Sequence, residues 1–261
     1  MQGWGKALAG RILVGAYDAL LAGGETLPPG GTYIFSDLDR LSARERTQLA
    51  ATHEQLLRSA GARRVLNDPR RSLLRYELLR TLYRNGVNAF DAYGPGETPA
   101  RFPVFLRPEA EFIEIAPPLL DALAHVPDGQ LAVEFCDTAG ADGVYRKYGA
   151  YVVGERIVPR HLFFSRDWLV KGPDLRAPGH LEEERAYVRE NPHAAQLLEI
   201  CRTACIAWGR VDYALRGGRV QVWEINTNPM FAFPGARDAP GREDVHRHAA
   251  AGVAEALLAL E

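Results

Sequence analysis

The sequence predicts an α+β fold in which antiparallel sheets follow a small parallel α/β unit. Two observations carry this. A strand, a helix and a second strand succeed one another within about 35 residues near the N-terminus, the pattern of one parallel unit. From residue 87 onward, short alternating strands follow one another in hairpins, interrupted by helical periods. At 261 residues the chain is long enough for one large domain or two modest ones.

The elements follow in order. Ala7, Leu8, Ile12, Leu13, Ala16, Tyr17, Leu20 and Leu21 fit one face of an amphipathic helix, docked on the domain or on a second copy in a homodimer. Arg11 and Asp18 interrupt any signal-peptide core, and no charge-free stretch is long enough to span a membrane. "TLPPGG" breaks the chain before the short strand "TYIFSD". Ser42 and Glu45 have capping-box spacing for the next helix, which Gly61 ends, and "RRVLND" is the second strand. "DPRRSLLRYELLRTLYRNG" predicts a helix with Asp68 as cap, Pro69 at its first position and Gly86 at its stop. Leu74, Leu78, Leu79 and Leu82 form its apolar stripe; Arg70, Arg71, Arg75, Arg80 and Arg84 fill the rest, with Arg75 inside the apolar stretch.

"VNAFDAY", "FPVFLR", "LAVEFCD", "YRKYGAYVVG" and "RIVPRHLFF" are strand-like, with a helix expected over 116–126 and a hairpin turn at Gly154-Glu155. A helical pattern over 192–208 places Leu197, Leu198, Cys201, Ala204, Cys205 and Trp208 on one side. "GRVDYAL", a Gly217-Gly218 turn, "RVQVWEIN" and a helix running to Glu261 complete the chain.

The formal charge of -2 gives no electrostatic reason to expect nucleic acid or a membrane surface. Cys136, Cys201 and Cys205 make no CxxC pair and no even framework, which points to a reducing, cytoplasmic setting. Cys201 and Cys205, four apart, have spacing for a shared metal, but small core residues are the simpler reading without a second pair.

The last hairpin holds the chemistry. A flush two-residue turn at Gly217-Gly218 places Asp212 opposite Trp223 and sends Asp212 and Glu224 to different faces, where arginines would pair with them. A three-residue turn with a glycine bulge instead sets Asp212 across from Glu224, at roughly 4.5–5.5 Å between Cβ atoms, with Asn226 on the same face. Two carboxylates and an amide oxygen form a hard-oxygen set suited to Mg²⁺.

At this point the sequence resembles the ATP-grasp superfamily. Asp212 followed by "EINTNP" matches its metal motif, an Asp and then Glu-x-Asn-x-x-Pro. "VLNDPRRSLLRYELLRTLYRNGVNAF" is similar to the Asn-Pro loop and helix that open the fold, "FPVFLRPE" to its lysine-bearing strand, "LAVEFCD" to its adenine hinge, and "YGAYVVGERIV" to the hairpin that follows. The resemblance implies two α+β subdomains clasping ATP over 67–261, preceded by a partial α/β unit at 1–66. It implies Asp212, Glu224 and Asn226 as ligands of Mg²⁺ (or Mn²⁺). Glu134, Phe135 and Cys136 would form the hinge and read adenine through their backbone. Asp137 would hold the ribose or serve a turn.

The chain departs from the family pattern in three places. Arg75 and Arg107 stand where lysines are expected, which keeps the charge and changes the geometry. "EAEFIEIAPP" carries no glycine where a glycine-rich phosphate flap is usual. Gly149 replaces an arginine, and Lys147, of the same strand parity, is the candidate substitute. His161 also faces inward by parity, either touching phosphate or substrate or serving structure.

The implied activity is an ATP-dependent ligase joining a small-molecule carboxylate to an amine or thiol through an acylphosphate. Arg75, Arg107 and Arg146 suit an anionic acyl donor, and Arg107, Arg146, Lys147 and His161 are the candidate catalytic groups. A small-molecule kinase and a non-catalytic nucleotide-binding subunit are the alternatives.

Overall fold

The structure is a computed structural model describing residues 8, 10–23, 27–28, 30–59, 61–109, 115–172, 174–175, 177–229 and 241–260. Near the N-terminus, helix α1 is confined to Tyr17–Leu21, not the continuous helix expected from Ala7, which itself lies outside the described residues. Gly10 is left-handed, with φ of 74°, and Ile12, Leu13 and Val14 are 51%, 77% and 93% exposed. Residues 12–14 have no packed face to offset the cost of fixing a helix there, whereas Tyr17, Leu20 and Leu21 pack against the Phe35 cluster.

Strand β1 (Thr32–Ile34), helix α2 (Ala43–Arg58) and strand β2 (Arg64–Leu66) form the expected parallel unit, with Thr32 paired to Arg64. Ser42 and Glu45 make the reciprocal capping box. Asn67, itself left-handed, fastens this unit to the rest of the protein. Its amide donates to the carbonyls of Phe35 and Trp208 and accepts from the N–H groups of Ala207 and Trp208.

Helix α3 (Arg75–Arg84) begins six residues later than expected. Asp68 instead caps a tight turn, its Oδ1 accepting from Arg70 N at 2.8 Å. Leu73 N then donates to Ala204 O and Ser72 Oγ to Cys205 O, so tertiary bonds hold the chain out of the helix. Gly86, with φ of 69°, follows the helix as expected.

Strands β3 (Ala92–Tyr93), β4 (Val104–Pro108) and β5 (Gln130–Glu134) build a three-stranded antiparallel sheet with β5 in the middle. The helix expected over 116–126 is absent. Pro117 and Pro118 oppose it, and Leu120 exchanges both backbone hydrogen bonds with Val104 along the sheet edge.

The larger sheet has the order β7-β6-β8-β9, from β6 (Tyr145–Val153), β7 (Arg156–Ser165), β8 (Trp208–Arg216) and β9 (Arg219–Asn226). Between β7 and β8 lie helices α4 (Pro178–Glu190) and α5 (Ala194–Thr203). The first was not expected, because a buried Glu184 interrupts its apolar face. One face of the sheet, with Tyr148, Val152, Leu162, Val211, Tyr213 and Val222, packs under α3, α4 and α5 in the main core. On the other face Tyr151, Val153, Val158 and Trp208 meet helix α6 (Glu243–Leu258) at one end, leaving the rest for polar groups. Among the described residues no helix is long and apolar enough to cross a membrane.

Candidate active site

Four residues line up across the larger sheet: His161 on β7, Gly149 on β6, Asp212 on β8 and Glu224 on β9. Two irregularities create this row. The Gly217-Gly218 turn is flush, with φ of 56° and 77° and Arg216 paired to Arg219, which corrects the expectation of a bulge there. The register shifts inside the hairpin instead, because Tyr213 pairs with Val222 and Asp212 with Glu224, so Trp223 is the extra residue of a β-bulge. Asn88 clamps the bulge by donating to Val222 O at 2.8 Å and accepting from Val222 N at 2.9 Å. Phe90 stacks on Trp223 at 5.1 Å. On β7, Gly149 pairs with His161 but Ala150 with Pro159, so Arg160 is extra there.

Glycine at 149 is required by close approach. A Cβ there would lie 2.5 Å from the His161 ring, which occupies the space above the strand. His161 is 5% exposed and its Nε2 has no hydrogen-bond partner. Burial, reinforced by Arg210, pushes its pKa well below the ordinary value, so the ring is neutral.

The carboxylates of the row are ringed by cations. Asp212 accepts from Arg210 Nε at 2.7 Å and Nη2 at 3.1 Å, and Lys147 Nζ lies 3.1 Å away. Burial pushes the Asp212 pKa up, but Arg210 and Lys147 override it and hold the carboxyl well below the usual range. Glu224 pairs with Arg75 at 2.9 Å, and a second Arg75 nitrogen donates to Glu109 O. Burial and then Arg75 push Arg107 down to about 10, still a cation at neutral pH. Lys171 is lowered by burial and then by Lys147 and Arg107. Asp39, in the turn before α2, is raised by burial, with Arg75 opposing and Glu224 reinforcing. Among the described residues, Arg75, Arg107, Lys147, Lys171 and Arg210 therefore outnumber Asp39, Asp212 and Glu224. A semi-buried cleft with this surplus suits a polyanion.

Other expected residues fall elsewhere. Arg146 projects to the opposite sheet face, paired with Asp142 at 2.9 Å and Glu183 at 2.8 Å and stacked on Phe164, so it is not in the cleft. Glu134 is buried in the smaller sheet, accepting from Asp91 N, Tyr93 Oη and Arg101, a structural saturation of its carboxylate. The N–H groups of Glu134 and Phe135 are spent on Asp91 O and Pro103 O. Cys136 is buried, its Sγ 4.0 Å from Gln221 Oε1. Exposed Asp137 accepts from Ala139 N at 3.0 Å, a turn role. Residues 110–114 of the stretch "EAEFIEIAPP" lie outside the described residues.

Sequence reasoning missed Arg210, Lys171 and Asp39. Arg210 carried a signal, because it shares strand parity with Asp212 two residues on. Lys171 and Asp39 lie in irregular segments whose approach to the site only tertiary structure reveals.

Among the described residues no group of three or more His, Cys, Asp or Glu side chains is placed to hold a metal ion. The donor set that faces the cleft is two carboxylates and the Asn226 amide, whose Oδ1 now accepts from Asn228 N at 2.8 Å. Such a set fits Mg²⁺, which keeps phosphate and water in its remaining positions. Lys147 would have to yield part of its hold on Asp212.

Two unequal sheets facing one charged cleft define a class: the chain has the ATP-grasp fold. Among solved structures it is similar to the ATP-grasp ligase PsnB complexed with a phosphomimetic variant of minimal precursor, Mg and ADP, at 17% identity and a TM-score of 0.51 over 91% of this chain and 79% of that one. The complex of PsnB with minimal precursor, Mg and ADP gives 16% identity and a TM-score of 0.51 over 91% and 80%. D-alanine–D-alanine ligase from Bacillus anthracis complexed with ATP gives 13% identity and a TM-score of 0.49 over 95% and 82%. No protein-family model and no curated protein matches the sequence.

Proposed function

We propose that the chain is an ATP- and Mg²⁺-dependent ligase that joins a carboxylate to an amine or thiol through an acylphosphate. The observation that carries the reading is the facing pair Asp212–Glu224, set by a bulge inside a cationic cleft. Residues 67–261 would form the catalytic domain and 1–66 an accessory unit that lends Asp39 to the cleft. Asp212, Glu224 and Asn226 would hold Mg²⁺ (or Mn²⁺), which would supply positive charge against the phosphates. Arg75, Arg107 and Lys171 would orient the phosphates, and Lys147 would move from Asp212 onto them. With the Glu134 and Phe135 N–H groups engaged, adenine would be read by the backbone of Cys136 and Asp137.

A small carboxylic acid and a small amine or thiol are the proposed substrates. The complexes of PsnB with a minimal precursor support extending either substrate to a larger precursor molecule. A second reading, a nucleotide-binding subunit without turnover, is favoured by one observation: both carboxylates are already neutralised by side chains. ADP and free phosphate released only when an acid and an amine or thiol are both present is the result expected of the ligase. ADP with a phosphorylated product and no free phosphate would make it a kinase. Nucleotide binding with no ADP release across a broad acceptor pool would favour the silent subunit.

A further inference from the structure

We infer that the bulge of β7 forms a separate anion subsite in which the Arg160 guanidinium and His161 Nε2 hold a carboxylate of the substrate. The identity of that carboxylate rests on the ligase reading; the existence of the subsite does not.

Arg160 is 7% exposed, and its one polar partner among the described residues is His246 Nδ1, at 2.9 Å. Three other arginines packed against this sheet meet a carboxylate: Arg75 meets Glu224, Arg210 meets Asp212, and Arg242 meets Glu184. None of those acids is spare, since Asp212 also serves Lys147 and Glu184 also accepts from Leu162 N. An arginine withdrawn from water without a counter-ion is costly. The fold nevertheless places one here, as the extra residue of a bulge.

The same bulge presents His161. Normal alternation would put neighbouring side chains on opposite faces; the register shift between Gly149 and Ala150 relaxes it, and the bond to His246 sets Arg160 on the face that meets α6, the face of His161. The His161 ring stacks on Phe163 at 4.0 Å and lies over Gly149, with its Nε2 buried and unpartnered. A neutral imidazole protonated at that nitrogen donates one hydrogen bond. A guanidinium beside it offers a planar fork, the geometry that matches a carboxylate. The pair sits on the edge strand, separated by β6 and β8 from Glu224, while Arg75 and Arg107 gather toward the Glu224 side. That separation assigns the phosphates to one side of the row and a second anion to the other.

The test is thermal denaturation of the full chain with succinate, acetate or inorganic phosphate, alone and after saturation with Mg²⁺ and ADP. Succinate is expected to raise the Tm of the wild type in both conditions. Arg160→Met removes a charge that meets no carboxylate among the described residues but also the bond to His246, so it should leave the Tm of the free protein close to wild type, and should abolish the succinate shift. ADP affinity in that variant should stay within roughly twofold of wild type, since no phosphate contact is lost. His161→Phe, which preserves the ring stack, should lose most of the same shift and provides a second route should the first variant misfold. A lower Tm for free Arg160→Met with the succinate shift retained makes Arg160 structural and overturns the proposal. A phosphate-only shift that ADP abolishes, with ADP weakened roughly tenfold in the variant, assigns the oxyanion to the nucleotide and overturns the carboxylate. A wild type that responds to none of the three anions overturns the subsite. No arm reads turnover, so a chain that binds succinate but releases no ADP fails as a ligase while the subsite stands.

Discussion

The two faces of the larger sheet come from the same four strands and have opposite characters. Val211, Tyr213 and Val222 lie in the main core, under α3, α4 and α5. Arg210 and Asp212, adjacent in sequence to Val211 and Tyr213, and Glu224, two residues past Val222, lie in the cleft. On the core face, burial of each large apolar side chain contributes about 1.5–3 kcal/mol and fixes the register. On the cleft face, ion pairs contribute less net energy, because desolvation offsets attraction. The difference teaches that this sheet is held from behind and used from the front. Its two bulges each reset the cleft row without unpacking the core.

The sharpest way to break that contrast is Glu224→Gln, which keeps shape and removes a charge from the front face only. Turnover, followed as ADP release, should fall by roughly 10²-fold or more, the scale of losing a group that stabilises developing charge. The Tm should fall modestly, because the buried Arg75 keeps only an amide oxygen as partner there. Near-normal turnover would remove Glu224 from the metal set.

Arg107→Ala sharpens the comparison from the opposite wall, since Arg107 reaches the cleft from β4 of the smaller sheet. ATP affinity should weaken by about 1.5–3 kcal/mol if the guanidinium holds phosphate. A titration showing unchanged ATP affinity would leave the phosphates to Arg75, Lys147 and Lys171.

Asn88→Ala tests whether the back of the sheet dictates the front. It deletes both bonds to Val222, for a stability loss of about 2 kcal/mol by denaturant titration, at about 1 kcal/mol each. If the clamp sets the bulge, turnover should fall further than the stability loss alone explains. Intact turnover in the folded fraction would show that the Phe90–Trp223 stack suffices.

Much of this was legible in the sequence because it rests on local rules. The parallel unit, both long hairpins, the Ser42 capping box and the Asp212–Glu224 pairing follow from periodicity, turn chemistry and motif. The device behind the pairing was not legible. A Gly-Gly turn is the natural place to look for an extra residue, whereas Trp223 is displaced by Asn88, which is distant in sequence. The late start of α3 has the same origin, because the carbonyls of Ala204 and Cys205 engage Leu73 and Ser72. Arg146 was misplaced for a simpler reason: charge suggested the cleft, while its even position on β6, opposite in parity to Lys147 and Gly149, sends it behind the sheet.

Arg146 therefore supplies the smallest expected effect and the control for the whole comparison. Its partners Asp142 and Glu183 are well exposed, so Arg146→Ala should cost about 0.2–1 kcal/mol of stability, with a further small loss of stem packing on Phe164. Hydrogen bonding to Arg146 holds the Asp142 carboxyl well below the usual range. A depressed folded pKa gives a contribution that is present above the unfolded value, about 3.9, and is lost as pH falls below it. The stability gap between wild type and Arg146→Ala should accordingly narrow in acid. ATP affinity and ADP release near neutral pH should match wild type. If Arg146→Ala instead weakens ATP as much as Arg107→Ala does, the two faces are not functionally separate, and the assignment of the cleft to one of them fails.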